Sequence, residues 1–535
     1  MKLADLIAPG SGRTLLHFPG ESVSVEYGEL WTSGEAAMGR LRAAGDGRPA
    51  VIALSNSRAC ATVLTGAIAA GQPLISVPMP PRWADQEWYG AFVRRICAES
   101  GADTMLLEAS LAASLPPIAG VTLLPFEDAL ALSGHGSGDP DAFTLTQFTS
   151  GSTAEPKGIL LSEDRIAANI GALAQWTQLR PGDGFCSWLP LSHDMGLVVG
   201  FLLPLAGAGD AWARGLDLVL LTPSAFMRNP ANWLAACAEF GSTVTMAPNF
   251  GYEMAARRPG RVEGLERLRV SICGAEPIRP RTLERFCQVM GERGFDPLAL
   301  CPAYGMAEVV VGATGTPPDT PWHAAPLGAL ADDERLDLGA AREHEVVSSG
   351  VPMAGYEVRV DGSAGGDGTA GDGIGEILVR GPSVGTLTDG TSLADADGWF
   401  HTRDLGFLRD GELHVLGRTD DVFQIAGRNI FAIDIEAYAA EVDGVRDGRV
   451  LAVPEDDALT VVAECEPAYC DQDSVSRLAQ ELRERIVSRL GVAPRRVLLT
   501  RRGALPVTTS GKLRRKPLVA ALGESRVKIL AGSLS

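Results

Sequence analysis

Positive charge is scarce in this chain: 47 lysines and arginines stand against 66 aspartates and glutamates, a formal balance of −19 over 535 residues. A general binder of nucleic acid or anionic membrane needs positive potential over a wide face, so both classes are excluded and small-molecule chemistry is favoured. Cysteine is also sparse. The nine residues Cys60, Cys97, Cys186, Cys237, Cys273, Cys287, Cys301, Cys465 and Cys470 are scattered and odd in number, with no Cys-x-x-Cys. Neither a zinc site nor a disulfide framework is expected from them, and a reducing, cytoplasmic setting fits. No apolar run reaches the roughly 18 residues of a spanning helix. The start, Met1-Lys2-Leu3-Ala4-Asp5, has no basic segment leading into a long apolar one, so the expectation is a soluble chain without integral membrane association. No internal repeat or heptad pattern is present.

What the chain does have is apolar material, 46% of its residues, over a length that exceeds one comfortable core. Short apolar runs alternate with small-residue helical stretches through the first three hundred residues. Ala50 to Leu54 followed by Ser57 to Ala70 is one strand-then-helix unit, and the pattern predicts an α/β layered fold. The glycine-rich tract Asp361 to Gly375 separates two strand-like runs, Tyr356 to Val360 and Glu376 to Arg380, and reads as a long hairpin turn and not as a ligand loop. The character changes after Gly417. Later strands and one marked helix, capped by Asp473 or Ser474 and buried along Val475, Leu478, Leu482, Ile486 and Leu490, predict a compact α+β unit. The expected division is a large multi-subdomain N-terminal domain with layered sheets and helices over 1–417, a hinge at 418–421, and a small mobile α+β domain over 422–535.

The stretch Thr149, Ser150, Gly151, Ser152, Thr153, Ala154, Glu155, Pro156, Lys157, Gly158 follows the strand-like run Phe143 to Phe148. Hydroxyls and backbone N–H groups can wrap phosphate oxygens, glycines permit close approach, and the lysine adds a compact positive charge. It is not a Walker A loop, which needs Gly-Lys-Ser/Thr four residues after the first glycine. In isolation a Ser/Gly-rich surface turn explains it as well.

Five more segments stand in order after it: Trp188 to Gly196 (WLPLSHDMG), Gly274 to Pro277 (GAEP), Ala303 to Glu308 (AYGMAE), Gly398 to Gly406 (GWFHTRDLG) and Gly417 to Asp421 (GRTDD). The run Thr509 to Lys512 (TSGK) follows near the carboxyl end. Each alone is weak. Together they resemble the adenylate-forming superfamily of acyl-CoA synthetases, peptide-synthetase adenylation domains and luciferases. The strings TQFTSGST, SWLPLSHDMGL, MAPNFGYEMAARR, ICGAEPIRPRTLERF and AGRNIFAIDIE are similar to those of fatty acyl-AMP ligases, and Gly328 to Gly350 sits where those ligases carry an insertion. Ala154, Ser192 and Gly385-Thr386-Leu387 depart from the superfamily's usual residues, which bears on the acyl chain and its length.

The resemblance implies an ATP-dependent ligase that activates a fatty or related carboxylic acid as its acyl-adenylate, releases pyrophosphate, and loads the phosphopantetheine thiol of an acyl carrier protein. Lipid or natural-product assembly is the implied setting. Thr149, Ser150, Gly151, Ser152, Thr153 and Lys157 would cradle the β- and γ-phosphates. Glu308, with Thr149 assisting through water, would coordinate Mg²⁺, a cation that favours hard oxygen ligands. Tyr304, with Gly305 and Met306 of its motif, would stack on adenine, and Gly274, Ala275 and Glu276 would pass close beneath it. Asp404 would accept from the ribose hydroxyls with Arg418 beside it. Lys512 would bridge the acyl carboxylate and α-phosphate, and His193 would orient the carboxylate; read alone, the first is also a solvated tail lysine and the second a hydrogen-bonded core histidine. Asp420 would be the hinge, or else a strand-entry turn residue.

A coenzyme A ligase is the nearest rival, followed by an amino-acid adenylating enzyme and a nucleotide-binding protein that has lost catalysis. One physical feature points to an acidic protein acceptor. Between Arg495 and Lys528 lie ten basic residues, Arg495, Arg496, Arg501, Arg502, Lys512, Arg514, Arg515, Lys516, Arg526 and Lys528, against Glu524 alone. Such a strip would steer docking, with Arg514 and Arg515 as its expected probes; a solvated basic tail is the alternative.

Overall fold

The structure is a computed structural model that describes residues 2–10, 12–79, 86–133, 143–149, 157–208, 216–326, 345–361, 373–425, 428–455, 458–507, 513–524 and 527–533. Two large sheets form the framework. In the first, the strands Leu15–Phe18, Asp217–Leu220, Gly184–Ser187, Val244–Ala247, Val270–Cys273 and Leu300–Tyr304 run parallel in that spatial order, and short antiparallel strands close both edges. In the second, Thr144–Thr149, Leu74–Val77, Ala50–Ala53, Thr104–Leu107 and Thr122–Pro125 are parallel neighbours, with the antiparallel Lys157–Ser162 added beside the first of them. Strands that are buried on both faces read as continuous apolar runs, which is why Ala50–Ala53 and Val244–Ala247 show no alternation.

The expected strand-then-helix unit is present. Ala50–Ala53 leads into the helix Arg58–Ala69, whose cap Ser57 accepts from the backbone N–H of Cys60 at 3.1 Å. That helix packs against Tyr27–Ala44 at Gly34 and Gly66, where a Cβ on either glycine would strike the backbone of the other helix. The two runs flanking the glycine-rich tract also pair as expected. Glu357–Asp361 lies antiparallel to Gly375–Arg380 in a four-stranded sheet completed by Phe400–Arg409 and Glu412–Arg418. Residues 362–372, the turn itself, lie outside the described residues.

Beyond Thr419–Asp421 the architecture is α+β. The strands Val445–Glu455, Ala458–Cys465, Arg496–Thr500 and Ile529–Ser533 form one sheet, crossed by the helix Gln472–Leu490. The observed cap, Asp471, lies two residues before the nearer expected one, Asp473. Asp471 accepts from Ser474 N–H at 3.0 Å, and Gly491 ends it in the left-handed region at φ 66°. Val475, Leu478, Leu482, Ile486 and Leu490 are all buried. Each such side chain contributes about 2 kcal/mol, so this stripe, more than helix propensity, holds the element. The stripe belongs to a core running from Phe423 to Leu499, separate from the core that runs from Leu3 to Leu413. Among the described residues, no helix is long and apolar enough to cross a membrane.

Candidate active site

Four of the motifs meet where the first large sheet faces the four-stranded sheet. Tyr304 ends the strand Leu300–Tyr304, and its hydroxyl donates to Asp404 Oδ2 at 2.7 Å. Asp404 in turn stands opposite Arg418 in the antiparallel register of Phe400–Arg409 and Glu412–Arg418, with Arg418 Nε 3.6 Å from Asp404 Oδ1. That distance is an ion pair but not a hydrogen bond. Arg418 Nε is buried and has no hydrogen-bond partner, while the side chain as a whole remains 42% exposed. A buried N–H left open beside a carboxylate has capacity for a ligand oxygen.

Glu308 sits in the single turn Ala307–Val309 directly after Tyr304, Gly305 and Met306. Burial pushes its carboxyl above the usual range, the nearby Asp194 and Asp404 push the same way, and Arg418 opposes them. Asp404 is raised by burial, with Tyr304 and Arg418 holding it down. Tyr304 is raised by burial and then by Asp404. Three carboxylates near one arginine make a site short of positive charge and rich in hard oxygen donors. The donor set suits a divalent cation shared with phosphate oxygens. Among the described residues no group of three or more metal-type side chains could by itself hold an ion, so the protein would supply only part of such a coordination shell.

Backbone geometry fixes the turn. A Cβ on Gly305 would enter the carbonyl of Val311, and Val310 itself has φ 74°. A Cβ on Gly274 would lie 2.8 Å from the Ala303 carbonyl, so the GAEP segment runs against the Tyr304 strand with no room for a side chain. Ala275 takes φ 68°, a left-handed conformation that costs a non-glycine residue about 1–3 kcal/mol. Glu276 accepts from Phe250 N–H at 2.6 Å and so anchors the start of the helix Asn249–Arg257, a tie that no spacing in the sequence suggested.

His193 is not a core residue. Its side chain is 23% exposed, and Nδ1 lies 2.6 Å from Asp194 Oδ1. The Met195 N–H donates to Asp194 Oδ1 at 2.7 Å and lies 3.3 Å from His193 Nδ1, so the three groups are held together at the start of the next helix. The pair opens a wide π-type helix, Met195–Leu202, held against the preceding turn by Gly196, whose Cβ would strike the Pro190 carbonyl. π-type turns recur at functional sites. Asp194 carried no assigned role in the sequence, although its place beside His193 in the same motif was a usable signal.

The stem of the phosphate-type loop is described and its tip is not. Thr149 and Lys157 face each other in the antiparallel register of Thr144–Thr149 and Lys157–Ser162. The side chains of both, and Ser150, Gly151, Ser152 and Thr153 entirely, lie outside the described residues, as does Lys512. The stem is tied to Glu308. Thr386–Leu387 pairs with the Lys157–Ser162 strand, and Gly385 N–H donates to the Glu308 carbonyl at 2.8 Å.

Asp420 and Asp421 occupy the turn Thr419–Asp421 between Glu412–Arg418 and Val422–Ile425. Asp420 lies 3.7 Å from Lys516 Nζ. Arg515 donates to Asp421 Oδ1 at 2.7 Å, Glu436 Oε1 at 2.5 Å and the Ala452 carbonyl at 2.6 Å. This corrects the docking strip: Arg515 is saturated and only 16% exposed, and Arg514 is half-buried, so neither is a free surface probe. Among the described residues, Arg495, Arg501, Arg502, Lys516 and Lys528 are the exposed members.

Known proteins resemble this chain in sequence and in fold. A family profile described as AMP-binding enzyme matches residues 8–386. The chain is 33% identical to the 4-hydroxyphenylalkanoate adenylyltransferase of Mycobacterium tuberculosis over 73% of this chain and 68% of that protein. It is 30% identical to the long-chain-fatty-acid–AMP ligase FadD32 of Mycolicibacterium smegmatis over 76% of this chain and 72% of that protein. A solved fatty acyl-adenylate ligase, from a set covering the E. coli and L. pneumophila enzymes, superposes with a TM-score of 0.86 at 25% identity over 98% of both chains. The chain belongs to the AMP-binding enzyme family and is an ATP-dependent, acyl-adenylate-forming ligase of the fatty acyl-AMP ligase type.

Proposed function

We propose that the chain activates a fatty or related carboxylic acid and passes the acyl group to the phosphopantetheine thiol of an acyl carrier protein. The observation that carries the reading is the convergence of Tyr304, Asp404, Arg418 and Glu308, drawn from three motifs, on one site short of positive charge. In the first half-reaction a carboxylate oxygen attacks the α-phosphorus of ATP, the new P–O bond forms as the bond to the β-phosphate oxygen breaks, and pyrophosphate leaves. Two anions must approach, so the chain has to neutralise charge and hold an in-line geometry.

Tyr304 offers a flat face to adenine, and Gly274 and Ala275 lend a side-chain-free edge beneath it. Asp404 accepts from the ribose hydroxyls, and the open Arg418 Nε takes a ribose or phosphate oxygen. Thr149 to Thr153 and Lys157, at the tip and stem of their hairpin, hold the β- and γ-phosphates. Glu308, with Thr149, would hold Mg²⁺, which would supply the remaining neutralisation of phosphate charge. His193, oriented by Asp194, directs the acyl carboxylate. Lys512 stabilises charge in the transition state, and the small unit, 422–535, rotates about Asp420 in 418–421 relative to 1–417 between the two half-reactions.

Transfer to a carrier is supported by relatives named as acyl-AMP ligases and by the exposed basic residues of the small unit. Pyrophosphate exchange with carboxylic acids of graded length tests the first half-reaction. Lys512→Ala should lower it by about 10²–10³-fold, and full exchange in that variant overturns the assignment. Discharge of the adenylate by coenzyme A, with no loading of a carrier, would instead make the protein a coenzyme A ligase.

A further inference from the structure

Of the nine cysteines, seven are buried and two, Cys287 and Cys470, are partly exposed. Cys287 has Trp322 as its side-chain neighbour. Cys470 has another thiol: its Sγ lies 3.7 Å from Cys465 Sγ. Cys186 and Cys237 also lie side by side, but both are fully enclosed and no oxidant reaches them. The pair at 465 and 470 therefore combines what the others lack, a thiol open to solvent and a second thiol within reach of it.

The two positions are joined by the short turn Pro467–Tyr469, which leads from the strand Ala458–Cys465 into the helix Gln472–Leu490. Cys470 sits at the end of that turn, and its Sγ also contacts the Glu466 carbonyl at 3.4 Å. A disulfide brings the sulfurs to about 2.0 Å, so the two thiols start within about 2 Å of bonding distance. We propose that Cys470 and Cys465 form an oxidisable dithiol, a modification site at which hydrogen peroxide converts the two thiols into a disulfide.

The steps balance. The Cys470 thiolate attacks the peroxide oxygen and becomes a sulfenic acid as hydroxide leaves and takes up the thiol proton. Cys465 Sγ then attacks that sulfur, the S–S bond forms, and the sulfenic oxygen departs with the Cys465 proton as water. Two electrons pass from the thiols to one peroxide, which yields two waters. The order is set by access, since Cys465 is buried and its thiol is pushed up to about 12, first by burial and then by Cys470. Cys465 is thus the resolving partner.

The site touches the folding of the small unit. Cys465 Sγ donates to the Thr500 carbonyl at 3.2 Å, at the end of Arg496–Thr500. The adjacent Glu464 accepts from Gly503 N–H at 2.9 Å and Leu505 N–H at 3.1 Å. Oxidation removes the thiol proton and with it the Thr500 contact, and it ties the helix entrance to the strand end.

Both cysteines fall in one tryptic peptide, 450–477, because no Lys or Arg lies between Arg449 and Arg477. The folded protein is treated with hydrogen peroxide, denatured in the presence of iodoacetamide so that every remaining thiol is alkylated, and digested. The expected result is peptide 450–477 lighter by two hydrogens, with loss of alkylation at both sites and its return after reduction. In Cys465→Ser the sulfenic acid at Cys470 should persist and be trapped by dimedone. In Cys470→Ser, which changes only a partly exposed side chain, Cys465 should stay unreactive. Alkylation of both cysteines at a peroxide dose that oxidises Cys287 overturns the proposal. So does conversion of Cys470 to sulfinic acid while Cys465 remains alkylatable, or equal oxidation of Cys465 in Cys470→Ser.

Discussion

Arg418 and Arg515 both lie against the turn Thr419–Asp421, and they differ in how fully they are paired. Arg418 lies 3.6 Å from Asp404, is 42% exposed, and keeps a buried Nε with no hydrogen-bond partner. Arg515 is 16% exposed, and each of its donor nitrogens has an acceptor, on the turn, on the helix Ala432–Ala440 and on the strand Val445–Glu455. A loosely paired arginine keeps donors for a ligand, whereas a saturated one fastens three elements together. Both are arginines, so satisfaction of the guanidinium is what distinguishes the one proposed to bind a ligand from the one that fastens the fold.

The largest expected effect comes from breaking the saturated side. Arg515→Met leaves Glu436 and Asp421 without their cation, and Glu436 is a carboxyl already raised by burial. Removing one partner of such a buried pair costs about 3–5 kcal/mol, which denaturant unfolding of the small unit should register. Adding Glu436→Gln should recover much of that loss. If Arg515→Met unfolds like the parent, the fastening role is wrong.

A second buried carboxyl in the same unit sharpens the contrast: burial pushes Asp434 up to about 7. Below the unfolded carboxylate value near 4 both states are protonated and the group is neutral in stability. As pH rises from there to about 7 the unfolded chain releases its proton first, so stability falls, and above 7 the full cost is present. Asp434→Asn should therefore stabilise the protein by up to about 4 kcal/mol at pH 8, with the gain fading towards pH 4. A pH-independent difference between the two proteins would remove Asp434 as the cause.

On the loose side the effects fall on activity. Asp404→Asn keeps the shape and loses the charge that Tyr304 and Arg418 face. Hydrogen bonds to charged groups contribute about 1.5–3 kcal/mol, so kcat/KM for ATP should fall by about ten- to a hundredfold with the melting temperature nearly unchanged. A matching drop in stability would place Asp404 with the structural pairs. The smallest effect is expected at the exposed basic residues. Arg501→Glu with Arg502→Glu should slow carrier loading at low salt by about tenfold or less, and leave pyrophosphate exchange alone. Equal loading rates at low salt would remove the strip from the docking face.

The order of the six motifs, the strand–helix alternation and the helix Gln472–Leu490 were legible because each depends on residues close in sequence. Periodicity places Val475, Leu478, Leu482, Ile486 and Leu490 on one face without knowledge of what covers it. The hairpin Glu357–Asp361 with Gly375–Arg380 was legible for the same reason. The helix cap was misplaced by two residues because Asp471, Asp473 and Ser474 are all good caps, and only the observed chain direction selects Asp471.

The sequence by itself determined the inventory of chemistry: hydroxyls and a lysine in a glycine-rich loop, a Tyr-Gly-x-Ala-Glu turn, and an acid and an arginine fourteen residues apart. Only the tertiary structure decided which charges are spoken for. Asp404 faces Arg418 because the chain turns back between them in register, Asp194 comes near Glu308 across more than a hundred residues, and Arg515 reaches Asp421 from ninety-four residues away. The physical reason is that a side chain's donors look the same in sequence whether filled or open. Filling depends on partners delivered by long-range packing, which also set Cys470 beside Cys465 and left Cys287 without a thiol neighbour.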